Sequence, residues 1–283
     1  MPLDFDKLVQ GMVFADRYEI VRELGRGGNS RVFLALDRSS DSSVAVALKV
    51  CSQNKDDKGF IPRFLREAFQ LSRLDHPNIM KLIDFGNQGG VYYLATEFVN
   101  GFSLKEHLKE GPVNEETAVV IACELGEAFQ HMKSLSIIHR DIKPDNILVS
   151  EEDGRVILVD FGLAKEEGQK TISTGDELYG TPHFLAPEYI SDSDNLTIKV
   201  DIYSLGVTLF HAVSGVLPFD SKSPVETVRR KLAEPPPPLA SVAPHVSADF
   251  AGLVDYMLVR DPGGRCSLEE MVAGFDALSA RYA

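Results

Sequence analysis

One stretch of the chain, residues 138–150, restricts its possible folds more than any other. It reads IHRDIKPDNILVS, and between two apolar borders it carries His139, Arg140, Asp141, Lys143, Asp145 and Asn146. Pro144 lacks a backbone donor and disfavours a helix at the residue before it. A segment with so many polar side chains cannot be core. The sequence therefore predicts a fixed loop that displays these side chains and is held by the apolar segments on either side.

This loop has two interpretations, a solvated charged turn and a catalytic loop. Five fixed residues, each used at roughly 5%, match about once in 10⁶ to 10⁷ positions, so chance rarely produces the pattern in a single chain. The pattern of His139, Arg140, Asp141, Lys143 and Asn146 resembles the catalytic loop of the eukaryotic-type protein kinases. The resemblance implies that Asp141 accepts the proton of the acceptor hydroxyl, that Lys143 neutralises charge on the moving phosphoryl group, and that Asn146 contacts a metal ion.

Composition excludes several other classes of protein. The formal net charge of −13 argues against a surface for nucleic acid or anionic membranes. Cys51, Cys123 and Cys266 are scattered, without the spacing of a zinc or redox site. No apolar run approaches the ~18 to 20 residues of a membrane span, and the N-terminus lacks the layout of a signal peptide. We therefore expect a soluble, cytoplasmic protein with no nucleic-acid partner and no membrane segment.

A glycine-rich turn, GRGGNS at residues 25–30, joins two strand-like segments at residues 18–24 and 31–37. Alone, such a turn is more often a simple hairpin, although glycines also let backbone N–H groups close over phosphates. The third glycine of the kinase pattern is replaced by Ser30. By resemblance the nucleotide-binding residues of this region are Leu24, Gly25, Arg26, Gly27, Gly28, Asn29, Ser30, Arg31 and Val32.

A lysine and a glutamate are placed where each needs a partner. Residues 44–50 form an apolar strand in which Ala47 and Lys49 share one face. Apolar side chains recur with helical spacing along residues 60–74. Glu67 occupies a position within this apolar stripe, so its carboxylate faces inward. Because an unpaired buried charge is costly, we predict that Lys49 pairs with Glu67. The alternative is that Glu67 lies at the solvent-exposed edge of the helix, beside an arginine. By resemblance Lys49 reaches the nucleotide phosphates and Ala47 lines the adenine pocket.

Two further strands, at residues 79–84 and 91–97, complete a predicted small lobe of five strands. The resemblance places the adenine edge directly after them. Glu97 and Val99 then offer backbone groups to the base, and Thr96 is the gating side chain at the back of the pocket.

The metal site is predicted from a second aspartate. Residues 156–159 form a short apolar strand that ends at Asp160, followed by Phe-Gly. In isolation this aspartate is better explained as a turn former. However, it follows Asp141 by 19 residues, as in the kinase pattern. The resemblance therefore assigns Asp160 and Asn146 to Mg²⁺, with Mn²⁺ as an alternative.

Residues 163–186 form a polar segment without periodicity, which by resemblance is the activation segment. Its candidate phosphate acceptors are Ser173 and Thr174. Glu177 stands where several kinases carry a phosphorylated threonine, and two interpretations remain open. Either its carboxylate partly substitutes for phosphate by pairing with Arg140, or it lies on a solvated loop.

The C-terminal half contains two long-range expectations from the same resemblance. Glu188 and Arg265 form a buried pair, and Asp201 holds the backbone of the catalytic loop. Residues 235–238 are four prolines, which favour a stiff connector over a docking ligand.

Together these features predict an α+β, bilobal, protein-kinase-like fold. Residues 1–17 are a lead-in, residues 18–99 a small nucleotide-binding lobe with a five-stranded antiparallel sheet and one main helix, and residues 100–283 a larger, mainly helical catalytic lobe. Residues 18–278 together form one kinase domain.

The implied function is that of a serine/threonine protein kinase that uses ATP, because Lys143 two residues after Asp141 is the serine/threonine form of the loop. A homodimer for autophosphorylation is a further candidate assembly, and the compact sequence is similar to bacterial members of the family. The alternative is a pseudokinase or nucleotide-binding scaffold, which would normally lack at least one of Lys49, Glu67, Asp141, Asn146 and Asp160.

Overall fold

A computed structural model describes residues 7–27, 30–39, 42–52, 59–161, 165–166 (backbone only), 182–192, 194–221 and 223–282. The chain divides into two compact units, Met1–Asn100 and Gly101–Ala283. The sequence had predicted a division between residues 99 and 100.

The first unit is an antiparallel sheet with one helix, α1 (Phe60–Ser72). Its strands are β1 (Val13–Phe14), β2 (Tyr18–Arg26), β3 (Ser30–Asp37), β4 (Val44–Ser52), β5 (Leu82–Gln88) and β6 (Val91–Glu97), in the order β1-β2-β3-β4-β6-β5. Alternate residues of β3 and β4 are buried, as expected for strands with one face on a core. The buried face includes Tyr18, Ile20, Phe33, Ala35, Val46, Leu48, Val50, Tyr93 and Ala95.

The predicted sheet of five strands was one strand short. The additional strand, β1, lies in the supposed lead-in and pairs with β2. Its Phe14 is buried and packs edge-to-face on Tyr93, with ring centroids 5.4 Å apart. A strand of two residues has no periodicity to detect, so sequence reasoning missed it. The strand predicted at residues 79–84 begins later, at Leu82.

A network of charged and phenolic groups fastens the start of β2 to the far edge of the sheet. The Arg17 guanidinium donates to Asp37 Oδ1 (2.7 Å) and Oδ2 (2.6 Å) and to Asp84 Oδ2 (2.8 Å). The hydroxyl groups of Tyr18 and Tyr93 also donate to Asp84 Oδ2, at 3.0 and 3.3 Å. The hydrogen bond from Arg17 lowers the pKa of Asp37 to about 2. Because Asp37 ends β3 and Asp84 lies in the edge strand β5, the network fixes the curl of the sheet.

The second unit is mainly helical. Its helices are α2 (Leu104–His107), α3 (Glu115–Ser134), α4 (Pro187–Ser191), α5 (Lys199–Ser214), α6 (Pro224–Ala233), α7 (Leu239–Val242), α8 (Ala248–Met257) and α9 (Leu268–Ser279). Its short strands are β7 (Gly101–Ser103), β8 (Ile137–Ile138), β9 (Ile147–Ser150), β10 (Val156–Leu158) and β11 (Lys165–Glu166). Strands β10, β9 and β7 form one sheet, and β8 pairs with β11. The four prolines connect α6 to α7.

Helix α5 is the core element of the second unit. Thirteen of its sixteen residues are buried, as expected for a helix that is apolar on all sides. A side chain at Gly206 would place its Cβ 2.9 Å from Met257 Cβ, so this glycine permits the close approach of α8. Among the described residues, no helix has the length and apolarity that crossing a membrane requires. The antiparallel sheet of the first unit and the mainly helical second unit confirm the predicted α+β class.

Replacing Arg17 tests the network at the sheet edge. We expect Arg17→Ala to lower the free energy of unfolding by about 2 to 3 kcal/mol, because Asp37, whose side chain is 9% exposed, loses its cation. Urea unfolding measures this change. The matched control is Arg38→Ala, which breaks the surface pair of Arg38 with Glu19 and should change stability by less than about 1 kcal/mol. Equal effects of the two variants would contradict a special role for Arg17.

Candidate active site

The predicted pair of Lys49 and Glu67 is present in the first unit. Alternation along β4 directs Val46, Leu48 and Val50 into the core, so Lys49 lies on the opposite face. Its Nζ atom donates to Glu67 Oε1 of α1 at 2.8 Å. The side chains are 26% and 12% exposed, respectively. The pair therefore holds an ammonium group at the surface of the sheet, where an anion can reach it.

The hairpin between β2 and β3 contains the glycine-rich turn. Gly25 pairs with Val32 across the hairpin, and the Gly27 N–H donates to Ser30 O at 2.8 Å. A Cβ atom at Gly25 would meet nothing within 4 Å, so packing within the protein does not require a glycine there. Residues Gly28 and Asn29 lie outside the described residues.

Two of the predicted nucleotide-binding side chains of this hairpin behave differently from each other. Leu24 is 38% exposed and open to a ligand. By contrast, Arg31 is buried; it donates to Glu23 and lies over the ring of Phe33, with 4.7 Å from Cζ to the ring centroid. Its guanidinium group is therefore part of the hairpin structure.

The end of β6 carries the residues predicted to contact adenine. Thr96 is buried beside Ala47 of β4, and its hydroxyl donates to Ala47 O at 3.3 Å. The Glu97 N–H donates to Lys81 O at 2.9 Å, and the Glu97 carboxylate accepts from the Lys81 N–H at 2.9 Å. Both of these groups of Glu97 are thus engaged within the unit. Val99, two residues further along, is half-buried.

In the second unit, one carboxylate organises the polar loop. Asp201, near the start of α5, is fully buried, and its Oδ2 and Oδ1 accept the backbone N–H groups of His139 and Arg140, each at 2.8 Å. Arg140 has a φ of 70°, a conformation that costs free energy for a residue with a side chain. Burial raises the pKa of Asp201, whereas the two N–H groups and the charge of Arg140 act in the opposite direction. The predicted contact of Asp201 with the loop backbone is therefore present.

His139 links this loop to the strand that ends at Asp160. Its Nδ1 accepts the Asp141 N–H at 3.2 Å, and its Nε2 lies 3.1 Å from Val159 O. A neutral ring with the hydrogen on Nε2 satisfies both contacts, and burial lowers the pKa of His139, which favours the neutral form. The ring also packs edge-to-face on Phe161, with centroids 4.5 Å apart.

The structure brings together the three predicted chemical groups of the loop. The Asp141 Oδ2 atom accepts from Lys143 Nζ at 2.7 Å and from Asn146 Nδ2 at 2.9 Å. The same Asn146 nitrogen donates to Asp141 O at 2.8 Å. One carboxylate oxygen is thus fixed by two donors, which leaves Oδ1 to accept a proton from an incoming hydroxyl group.

Asn146 and Asp160 offer oxygen ligands of the kind that hard divalent cations prefer. Both donations of Asn146 use its amide nitrogen, and its amide oxygen accepts no hydrogen bond from the residues that the structure describes. The Val159 N–H donates to Asn146 O at 3.0 Å, which ties the exposed Asp160 to the same loop. Asp160 has a φ of 62°, a second strained position at this site. The donor set fits Mg²⁺ or Mn²⁺.

The predicted pair of Glu188 and Arg265 is also present. The Arg265 guanidinium donates from Nη1 to Glu188 Oε1 at 2.6 Å and from Nη2 to Oε2 at 3.0 Å. The Arg265 side chain has no exposed surface. The other expectations for this region, concerning Ser173, Thr174 and Glu177, fall on residues outside the described part of the chain.

Sequence reasoning missed two polar side chains of this unit, Lys231 and Ser204. Lys231 lies in α6 and is 1% exposed, although charged residues of such helices normally face water. Its position beside Thr227, another buried polar residue one turn earlier, gives no apolar stripe from which its burial could be predicted. The side chains of Lys231 and Ser204 both hydrogen-bond to backbone carbonyl groups of residues 183–185.

Comparison with known proteins is consistent with this geometry. The family model described as protein kinase domain matches residues 18–274. A probable serine/threonine-protein kinase PknB of Lactococcus lactis is 36% identical over 265 residues, which cover 93% of this chain and 42% of that protein. The serine/threonine-protein kinase PrkC of Bacillus subtilis is 35% identical over 261 residues, which cover 92% and 40%. The serine/threonine-protein kinase PknJ of Mycobacterium tuberculosis is 34% identical over 262 residues, which cover 90% and 44%. The chain thus spans about two fifths of the length of these relatives.

The buried neutral His139 predicts a dependence of stability on pH. Its pKa is lower in the folded protein than the ~6.5 of an unfolded chain, so its stabilising contribution is complete above pH 6.5 and is lost as the pH falls. His139→Phe keeps a ring against Phe161 but cannot titrate. We expect the difference in free energy of unfolding between wild type and this variant to shrink by up to about 1.4 kcal/mol per pH unit below pH 6.5. Urea unfolding across this range measures it, and a constant difference would contradict the prediction.

Proposed function

The chain belongs to the protein kinase domain family, and from that premise we propose that it transfers the γ-phosphoryl group of ATP to serine or threonine hydroxyl groups of proteins. The observation that carries the proposal is the geometry of Asp141. Its Oδ2 atom is held by Lys143 and Asn146, and within the described residues no hydrogen bond is made to its Oδ1 atom. A carboxylate oriented in this way can align a hydroxyl group and accept its proton.

In the proposed reaction, the oxygen of the acceptor hydroxyl forms a bond to the γ-phosphorus while the bond from that phosphorus to ADP breaks. The hydroxyl proton passes to Asp141 Oδ1. Charge spreads over the transferred group in a loose transition state, so positioning of the reactants and neutralisation of that charge matter most. Lys143, already 2.7 Å from Asp141 Oδ2, is placed to supply a positive charge beside the reacting oxygen.

The proposal gives the first unit the task of binding the nucleotide. Lys49, oriented by Glu67, would contact the phosphates. The open space in front of Gly25 supports close approach of a ligand to the hairpin backbone, to which Arg26, Gly27, Ser30 and Val32 also belong. Ala47 and Leu24 would contact the base, Thr96 would limit the depth of the pocket, and the backbones of Glu97 and Val99 would recognise the adenine edge.

Magnesium is the metal that we propose, because it binds phosphates and a small number of protein oxygens and keeps several waters. Asn146 Oδ1 and the Asp160 carboxylate would hold it, and Mn²⁺ could replace it. When bound, such an ion neutralises phosphate charge. The strained φ angles of Arg140 and Asp160 support a site at this loop, since the fold maintains both at a cost in stability.

Serine/threonine selectivity is proposed on two grounds. Lys143 stands two residues after Asp141, and the bacterial relatives are named serine/threonine-protein kinases. We also propose autophosphorylation within residues 163–186, and a cytoplasmic location. Because the chain spans only about two fifths of those relatives, their complete activities and partners apply here only as proposals.

Removal of the proton acceptor is the direct test of the reaction. Wild type incubated with Mg·ATP carrying a labelled γ-phosphate should label itself or a serine- and threonine-containing acceptor protein. Asp141→Asn should reduce the rate by about 10² to 10⁴-fold, because the amide cannot accept the proton. The matched control is Asp153→Asn, which removes the same charge from an exposed turn of the second unit and should retain the wild-type rate. Equal activity of Asp141→Asn and wild type would refute the proposed role.

Metal-dependent nucleotide binding separates a kinase from a nucleotide-binding scaffold that ignores metal. Wild type should bind a fluorescent ATP analogue at least about tenfold more tightly with Mg²⁺ than with EDTA, and Asp160→Asn should lose most of this difference because it removes a charged ligand. Asp153→Asn again serves as the control. If wild type binds the analogue equally well with and without Mg²⁺, the scaffold alternative gains support and the metal assignment fails.

A further inference from the structure

Two histidine side chains of the second unit lie where an added proton would find no acceptor. His183 precedes α4 in an irregular segment, and His211 lies in the last turn of α5. The His183 Nε2 and His211 Nδ1 atoms are buried, and within the described residues neither has a hydrogen-bond partner. A neutral ring keeps one nitrogen without hydrogen, whereas a protonated ring has hydrogen on both. Protonation of either ring would therefore bury a charged N–H donor without an acceptor, which is costly.

The two rings share one neighbourhood. The Phe184 ring, beside His183 in the chain, has its centroid 6.4 Å from that of the His211 ring. Burial lowers the pKa of His211, and the nearby His183 lowers it further. Within the part of the chain that the structure describes, no other titratable group contributes to this lowering. Each ring of this histidine pair thus makes the charged form of the other less favourable.

The carboxylates of the surrounding elements are engaged with other groups. Glu188 of α4 is paired with Arg265, and Glu234 of α6 is paired with Arg230. Asp201 of α5 accepts two backbone N–H groups of the catalytic loop. The same elements also present phenols and a cation, namely Tyr189 of α4, Tyr203 of α5 and Lys231 of α6. A proton gained by the histidine pair is therefore not neutralised by a carboxylate of the described residues.

Side chains of two helices hold the segment that carries His183. Lys231 Nζ of α6 donates to His183 O at 2.5 Å and to Leu185 O at 2.7 Å. Ser204 Oγ of α5 lies 2.8 Å from the carbonyl between them, Phe184 O. The segment belongs to no helix or strand. It can therefore detach from α5 and α6 without the unfolding of either helix.

Lys231 makes this attachment depend on pH in a higher range. Burial lowers the pKa of Lys231 to about 7, whereas a lysine in water has a pKa of ~10.4. The attached state therefore loses stability as the pH falls from about 10 to about 7. Below about pH 6 the lysine is charged whether the segment is attached or released, so a change at lower pH comes from other groups.

We propose that His183 and His211 form an acid-sensitive switch that releases residues 183–185 from α5 and α6 when either ring gains a proton. In the released segment both rings reach water, where a histidine has a pKa of ~6.5. Because the attached state binds a proton on His211 less readily than the released state does, the attachment is complete above pH 6.5 and weakens as the pH falls. One such histidine changes the equilibrium by up to about tenfold per pH unit.

Hydrogen exchange measured by mass spectrometry tests the release. After correction for the intrinsic exchange rate, protection of a peptide that covers residues 182–188 should fall by up to about tenfold per pH unit below pH 6.5. A peptide from the centre of α5, residues 203–209, should keep its protection, because the release is local. His211→Phe keeps a ring against Phe184 but cannot titrate, so it should lose most of the pH dependence of residues 182–188.

Two further variants keep the test decisive. His245→Phe makes the same substitution at an exposed histidine of the second unit and should retain the pH dependence of wild type. His183→Phe removes the other ring of the pair and should also reduce the pH dependence. It takes the place of His211→Phe if that variant does not fold in a thermal melt.

The switch also acts on the proposed reaction, and this part rests on the proposed kinase function. On α5, Ser204 follows Asp201 by three residues, so the side chain that holds the segment and the one that holds the catalytic loop share a helix face. Release of the segment should therefore disturb the loop. We expect the rate of γ-phosphoryl transfer by wild type to fall more steeply below pH 6.5 than that of His211→Phe.

Hydrogen exchange decides whether the switch exists, and the transfer rate decides whether it regulates. Constant protection of residues 182–188 in wild type from about pH 7.5 to about pH 5, or equal pH dependence in wild type and His211→Phe, would overturn the switch. An equal loss of protection in both peptides would assign the change to unfolding of the whole unit and overturn it too. Identical pH profiles of the transfer rate would overturn the regulation. If wild type transfers no phosphoryl group at any pH, the proposed function fails, and the exchange result still decides whether the switch exists.

Discussion

The contact between Asp201 and two backbone N–H groups is the interaction on which the second unit depends. It joins the most buried helix, α5, to the loop that carries every candidate catalytic group of that unit. The loop cannot be stabilised by regular hydrogen bonding, because it must expose Asp141 and adopt a φ of 70° at Arg140. A fully buried carboxylate supplies the missing acceptors. The His139 ring then contacts the Val159 carbonyl through its Nε2 atom. This contact fixes the strand that ends at Asp160 relative to the loop.

Side chains replace secondary structure elsewhere in this unit as well. Lys199 Nζ donates to Arg265 O and Cys266 O, and Arg265 donates back to Lys199 O. Lys231 and Ser204 do the same for residues 183–185. Irregular segments leave carbonyl groups that must find donors when they are buried. Long cationic side chains reach such groups from neighbouring helices, which allows a segment to be irregular and still have one conformation.

Sequence reasoning located the site residues that belong to a recognisable motif, or that occupy positions on two periodic elements where each charge needs a partner. The period of two along β4 and of 3.6 along α1 was enough to predict that Lys49 meets Glu67. Resemblance supplied Asp201 and the pair of Glu188 with Arg265, whose partners are 61 or more residues apart. It could not supply β1, which is two residues long, or the network of Arg17, whose partners lie in distant strands. It also could not reveal Lys231, because the burial of a charged residue is decided by tertiary packing and leaves no trace in the periodicity of its own helix.

The predicted site contains two ion pairs, Lys49 with Glu67 in the first unit and Glu188 with Arg265 in the second. They differ in whether the cation still has N–H donors that a ligand could use. Arg265 has five N–H donors, and five hydrogen bonds use them: two to Glu188 and one each to the carbonyls of Val259, Lys199 and Arg260. Its side chain is fully buried, so it has nothing left to offer a ligand. Lys49 contacts Glu67 while about a quarter of its side chain reaches solvent. A compact, flexible ammonium group in that position can contact an anion from solution without breaking the fold, whereas a saturated guanidinium group can only hold the structure together.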